Sequence, residues 1–400
     1  MNKILLITPL YPIPSPDNNA TDVCHSFAKE WVKNGYDVLV VHLQGVYSHA
    51  WHLLIRLFGK QIANIVGGGN FYPRPIKRTE HYEMDGVPVY RVPVYNFIPH
   101  GRFPERSVAA FVDEVVGILK ESGFHPDVIT GHMMPLEIIP RINKFCNTRT
   151  VMVEHGIPKK IKERYPDYQE LIASYARFGF RSKDIMRRYQ EEICKVPDPF
   201  LCYSGIPSVF LESIPQKAAA GPAKNFIFVG ELIQRKFPTI LIPALCEAVP
   251  DKDFTLTFVG EGPERAAIER QVSEFRLGGK VNFTGKIPRT RIVTLYDHAD
   301  CMIMASRNEA FGLVYLEAMA RSCITVASRG EGMDGIILDG ENGFLCDAGD
   351  VSSLVGVIRS IRGLDNEKAG GIRKAARRTA MMLSDKNAAM QYAGFLFGHE

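Results

Sequence analysis

Short apolar runs and stretches of helical spacing alternate along this chain almost from end to end. In the first half, continuous apolar runs predict strands at 3–8, 37–43, 87–94, 127–130, 150–154 and 200–203. Apolar positions at three- and four-residue spacing predict helices at 20–33, 107–121 and 182–192, and residues 136–145 join the two short strands on either side of them. The run Ser213-Ile-Pro-Gln-Lys-Ala-Ala-Ala-Gly-Pro-Ala223 breaks this rhythm with proline, glycine and alanine, as an interdomain linker does. A second alternating series follows at 226–229, 239–248, 254–259, 264–275, 281–283, 289–298, 301–305, 311–321 and 324–327. Strand and helix in turn mean an α/β protein with parallel sheets. The expected division is a first domain at 1–212, a linker at 213–224 and a second domain at 225–383, with a last helix within 384–400.

A length of 400 residues exceeds one hydrophobic core and agrees with two domains. A hydrophobic share of 46% with 23% charged residues is that of an ordinary globular protein. The net charge is +4, and the whole excess lies in residues 1–221. That is too little for a nucleic-acid partner. The eight cysteines show no C-x-x-C pair and read as reduced core thiols, which points to the cytoplasm. The apolar start is too short for a signal peptide, and no run of 18 apolar residues predicts a membrane span.

The chemistry concentrates in Ser306-Arg-Asn-Glu-Ala-Phe-Gly-Leu-Val-Tyr-Leu-Glu-Ala-Met-Ala320. Glu309 falls in the loop between a strand and a helix, and Glu317 lies about one and a half turns inside that helix. The helical rise puts roughly 7–8 Å between Gly312 and Glu317, about the reach of a diphosphate. A helix N-terminus offers unpaired N–H groups and a positive dipole end to phosphate.

This segment resembles the two-acid signature of the retaining nucleotide-sugar glycosyltransferases of the GT-B fold, the glycosyl transferases group 1 family of family 4 type. The resemblance implies two Rossmann-like domains facing a central cleft, with the final helix crossing back onto the first domain. It implies a hexosyltransferase-type enzyme. Glu309 then faces the donor sugar, Glu317 binds the ribose hydroxyls, and Ala310, Phe311, Gly312 and Leu313 meet the diphosphate. Phe228-Val-Gly-Glu-Leu-Ile-Gln-Arg-Lys236 resembles the family's glycine loop, whose Arg and Lys hold the diphosphate. Lys236 matches the Lys and Gly230 the glycine. Glu231 stands where the Arg is usual and would repel phosphate, so Arg235 is the candidate replacement. Gly262 matches the next glycine turn, and Lys286 and Ile287 the loop whose backbone meets the nucleotide base.

In the first domain, Pro126-Asp-Val-Ile-Thr-Gly-His132 resembles a strand ending in a His that faces the donor sugar, and His155 follows at the end of the next strand. A Gly-Gly pair is usual after the opening strand, and this chain has Asn18 and Asn19 instead. Asn tolerates left-handed backbone, so these two and His155 are expected on the acceptor side. His132 is expected among the catalytic groups with Glu309 and Lys236. No metal or other cofactor is expected. The donor is a nucleoside-diphosphate sugar and the acceptor a sugar or lipid-linked sugar, in synthesis of a bacterial surface polysaccharide or glycolipid. A nucleotide-sugar 2-epimerase and a non-catalytic sugar-nucleotide-binding subunit are the alternatives. The apolar, basic stretch 51–78 fits peripheral contact with the inner face of the cell membrane, or else a core helix or lid.

Overall fold

The computed structural model describes residues 2–14, 21–47, 76–96, 102–158, 160–213 and 222–398. Asn18, Asn19 and residues 51–75 of the basic stretch lie outside them. The chain forms two compact units. One holds Met1–Arg181, Ile185–Cys202 and Lys386–Glu400, and the other Ser182–Asp184 and Tyr203–Asp385.

The first unit is built on β1 (Lys3–Thr8), β2 (Asp37–Tyr47), β3 (Glu80–Met84), β4 (Val87–Asn96), β5 (Val128–His132), β6 (Arg149–Glu154), β7 (Arg177–Phe180) and β8 (Pro199–Leu201). Among the described residues these make one sheet in the order β3-β4-β2-β1-β5-β6-β7-β8. Every pairing is parallel except that of β3 with β4. The inner strands are buried on both faces, which is why they read as unbroken apolar runs. Strand β3, Glu-His-Tyr-Glu-Met, is polar, mostly exposed and at the edge, and its sequence carries no strand signal. Strand β7 escapes for another reason: it is only four residues long and includes Gly179.

The helix Asp385–Phe397 packs into this first unit. Its Ala388, Ala389, Tyr392, Ala393 and Leu396 are buried in one core with Phe27, Trp31 and Phe200. Trp31 Nε1 donates to Ala389 O at 2.8 Å, and Arg177 Nη1 to Phe395 O at 3.0 Å.

The second unit carries β9 (Asn225–Val229), β10 (Thr255–Val259), β11 (Val281–Gly285), β12 (Cys301–Ile303), β13 (Ile324–Ser328) and β14 (Phe344–Cys346). Their order is β11-β10-β9-β12-β13-β14, with parallel pairing throughout. The division between the units falls between Cys202 and Tyr203, earlier than residue 212. The reason is Phe210, which is fully buried in the second core beside Tyr296. Residues 214–221 of the linker stretch lie outside the described residues, and Ala223 belongs to the second core.

None of the eight cysteines is in a disulfide, and five of them are buried. Among the described residues no helix is long and apolar enough to cross a membrane.

Candidate functional site

In the second sheet the chain runs outward from β9 through β10 and β11, then restarts on the other side of β9 with β12. Beyond the carboxyl ends of β9 and β12 the two following loops diverge. Such a switch point is where open α/β sheets take ligands. It brings the loop Gly230–Lys236 beside the loop that carries Glu309, and Arg307 N donates to Arg235 O at 2.8 Å.

Three charged groups converge there. Arg235 Nη1 lies 3.5 Å from Glu309 Oε2, an ion pair whose geometry leaves that oxygen without a hydrogen bond. Lys236 is the third. Burial pulls its ammonium below the ordinary value, Glu309 opposes that, Arg235 adds to it, and Glu231 opposes it again. Its Nζ lies 2.9 Å from where a Cβ on Gly230 would stand, so Gly230 is the seat of the lysine. Gly260 packs onto Gly230 in turn: a Cβ on Gly260 would fall 2.0 Å from Gly230 O. Gly262 is pressed against the backbone of Leu232 in the same way, so its role is close packing of the two loops. Glu309 N donates to Glu331 Oε2 at 2.9 Å, which fixes the turn that carries the acid.

The helix Leu313–Ala320 opens at Gly312, which has φ +87° and no side chain capping the end. A Cβ on Gly312 would fall 2.5 Å from the Tyr315 ring, so both conformation and space demand glycine. Ala310 is half-buried, and Phe311 is buried and stacked on Tyr203 with ring centroids 5.6 Å apart. Glu317 is buried within the helix, with Arg289 Nε 2.6 Å from its Oε1. Burial pushes its carboxyl up, and Arg289 and Tyr296 pull it back. Lys286 is exposed and Ile287 half-buried in the loop after β11, just before the helix that begins at Arg289.

The sequence model of the family described as "Glycosyl transferases group 1" matches residues 210–379, a span that contains all of these groups except Tyr203. The second unit is a group 1 glycosyltransferase domain. The chain is 37% identical over 135 residues to D-inositol 3-phosphate glycosyltransferase of Corynebacterium diphtheriae, a match covering 32% of this chain and 31% of that protein. It is 32% identical over 143 residues to the lipopolysaccharide core biosynthesis glycosyltransferase LpsD of Rhizobium meliloti, covering 35% and 40%. The match thus spans well under half the length of either relative. By structure, all of the chain aligns with all of Anabaena HepE, solved in complex with UDP and glucose, at a TM-score of 0.66 and 19% identity. That likeness concerns the fold, which is the α/β fold of GT-B glycosyltransferases in both units.

The remaining described candidates, His132 and His155, belong to the first unit. His132 ends β5 and is fully buried, and His155 follows β6 and is half-buried. His132 Nδ1 is 2.9 Å from His155 Nε2, and His132 Nε2 is 3.1 Å from the Tyr392 hydroxyl, which is 2.5 Å from Thr130 Oγ1. Burial, with Arg181 nearby, holds both imidazoles well below their ordinary value, so both stay neutral at physiological pH. The sequence expectation set His132 facing a donor. In the structure both of its ring nitrogens have partners and it has no exposed surface.

Two residues of the second-unit site were not read from sequence, Arg289 and Glu331. Arg289 had a signal: a cation at the first position of a helix opposes the dipole and calls for a partner. Glu331 lies between Gly330 and Gly332, and a Cβ on Gly332 would fall 2.6 Å from Glu309 O, so that glycine marks a close approach to the Glu309 turn.

Proposed function

We propose that the chain is a retaining hexosyltransferase that moves a sugar from a nucleoside diphosphate to a hydroxyl group of a sugar or lipid-linked sugar. The observation that carries this reading is the trio Arg235, Lys236 and Glu309 at the β9–β12 switch point, beside an uncapped glycine-led helix N-terminus. Cations and open N–H groups there suit a diphosphate, and an acid a few ångströms away suits sugar hydroxyls.

In the reaction the bond from the anomeric carbon to the diphosphate oxygen breaks, and its electron pair leaves with the diphosphate. A new bond forms on the same face to the acceptor oxygen, whose proton passes to the departing phosphate. Lys236, Arg235 and the N–H groups at Phe311–Leu313 offset the charge that grows on the leaving group. Pre-aimed donors of that kind are worth about 10²–10³-fold each. Glu309 orients the sugar hydroxyls, Glu317 takes the ribose, and the backbone near Lys286 and Ile287 meets the base. Protein cations fill the role a divalent ion would have, so a chelator should leave the rate unchanged. The role of the Rhizobium relative in lipopolysaccharide core biosynthesis supports an acceptor from a bacterial surface glycolipid or polysaccharide.

The test is incubation of purified protein with uridine, guanosine and adenosine diphosphate sugars, with and without sugar acceptors, reading release of nucleoside diphosphate. Release from one donor, stimulated by an acceptor and yielding a product of unchanged anomeric configuration, is expected. No release from any donor would defeat the reading, and conversion to an epimer without acceptor would replace it.

A further inference from the structure

Glu317 and Arg289 form an unequal pair. The acid's side chain is 2% exposed and the arginine's 36%. Arg289 places Nε at 2.6 Å and Nη2 at 2.5 Å from the same oxygen, Oε1. The other oxygen, Oε2, is buried with no hydrogen-bond partner. Tyr296 stands beside the acid and helps hold its carboxyl down, and its hydroxyl donates to Val314 O at 3.1 Å. A buried carboxylate oxygen without a donor is costly to keep. The guanidinium is also held from its other side, 5.5 Å over the Phe210 ring. Arg289 follows Lys286 and Ile287 within three residues, so one side chain ties the loop assigned to the base to the acid assigned to the ribose.

We propose that Arg289 is a positioning residue for ribose recognition. By filling Oε1 it leaves Oε2 as the one acceptor for a ribose hydroxyl, so the pair selects ribonucleoside over deoxyribonucleoside diphosphates. This rests on the donor-site reading above, and the experiment separates the two. Equilibrium binding to the full chain is measured for UDP, GDP and ADP, and then for the 2′-deoxy form of whichever binds. The wild type should favour the ribonucleotide by about tenfold or more. Arg289→Ala should bring that ratio within about twofold. It should also move the loss of ribonucleotide affinity on acidification to higher pH, because the buried acid loses its opposing cation. Arg289→Lys, which keeps a cation, should restore most of the preference. Glu317→Gln should remove the preference without adding a pH dependence, and it decides the matter if Arg289→Ala does not fold. A folded Arg289→Ala protein with the wild-type preference overturns the proposal, as does a wild type that binds both nucleotides equally. A wild type that binds no nucleoside diphosphate overturns the donor reading itself.

Discussion

At the switch point of the second sheet, Glu231, Arg235, Lys236 and Glu309 stand close together, and Glu231 and Arg235 are exposed. In the first unit, Thr130, Tyr392, His132 and His155 form a hydrogen-bonded chain that is mostly buried and carries no net charge at neutral pH. The first group has charges whose bonding is incomplete, Glu309 Oε2 among them. The second has partners already supplied by the protein, one of them from the C-terminal helix. Unfilled acceptors and partly desolvated cations leave work for a ligand. A closed chain of neutral donors and acceptors serves shape first. The candidate chemistry therefore belongs to the first group, and the histidines gain importance through the unit they hold together.

This contrast can be broken most sharply by removing charge. Glu309→Ala and Lys236→Ala should each lower turnover at least about 100-fold while circular dichroism stays unchanged. Wild-type turnover in both variants would end the distinction. Next in size, Arg235→Ala should weaken nucleoside diphosphate binding by about tenfold, the scale of one charge-assisted contact, and Glu231→Ala should leave it equal or stronger. Equal weakening in calorimetry would remove Arg235 as the substitute cation. On the other side, Tyr392→Phe should cost about 1–3 kcal/mol of stability by leaving buried hydrogen-bonding groups of Thr130 and His132 unfilled. Its effect on turnover should stay below that of either charge removal, and denaturant melts beside rate assays would show it.

A further expected effect, on stability alone, concerns Glu154, at the end of β6 in the first unit. Burial raises its carboxyl from 4.5 to about 8. Its folded value lies above its unfolded one, so the stability it contributes is full below about 4.5 and is lost as pH rises through about 8. Glu154→Gln should flatten that decline. Melting curves of the two proteins should converge at acid pH and separate toward pH 8, with the variant higher. Parallel curves would show that the acid is not protonated in the folded state.

Most of the sheet was legible because its strands are buried on both faces and write themselves as apolar runs. Lys3–Thr8 and Arg289–His298 begin and end where the pattern puts them. The helices Val351–Arg362 and Asn366–Met382 were not read, although both announce themselves. Asp350 accepts from Ser353 N and Asp365 from Lys368 N, each at 2.8 Å, so capping residues were available as start signals. The acid and cations of the second unit were legible as a linear motif. Their spatial neighbours were not, because Arg289 precedes Glu317 by 28 residues and Glu331 follows Glu309 by 22. The bonding of His132 was hidden for the same reason: Tyr392, which fills its Nε2, lies 260 residues away.

The last helix has a consequence for how the chain is made. Ala389, Tyr392 and Leu396 complete a core whose other walls, Phe27, Trp31 and Phe200, are translated long before them. Translation runs from the N-terminus, so the earlier-made half must wait on the ribosome with its aromatic interior open. The later-made half can close first, and the protein finishes folding at the end it started from.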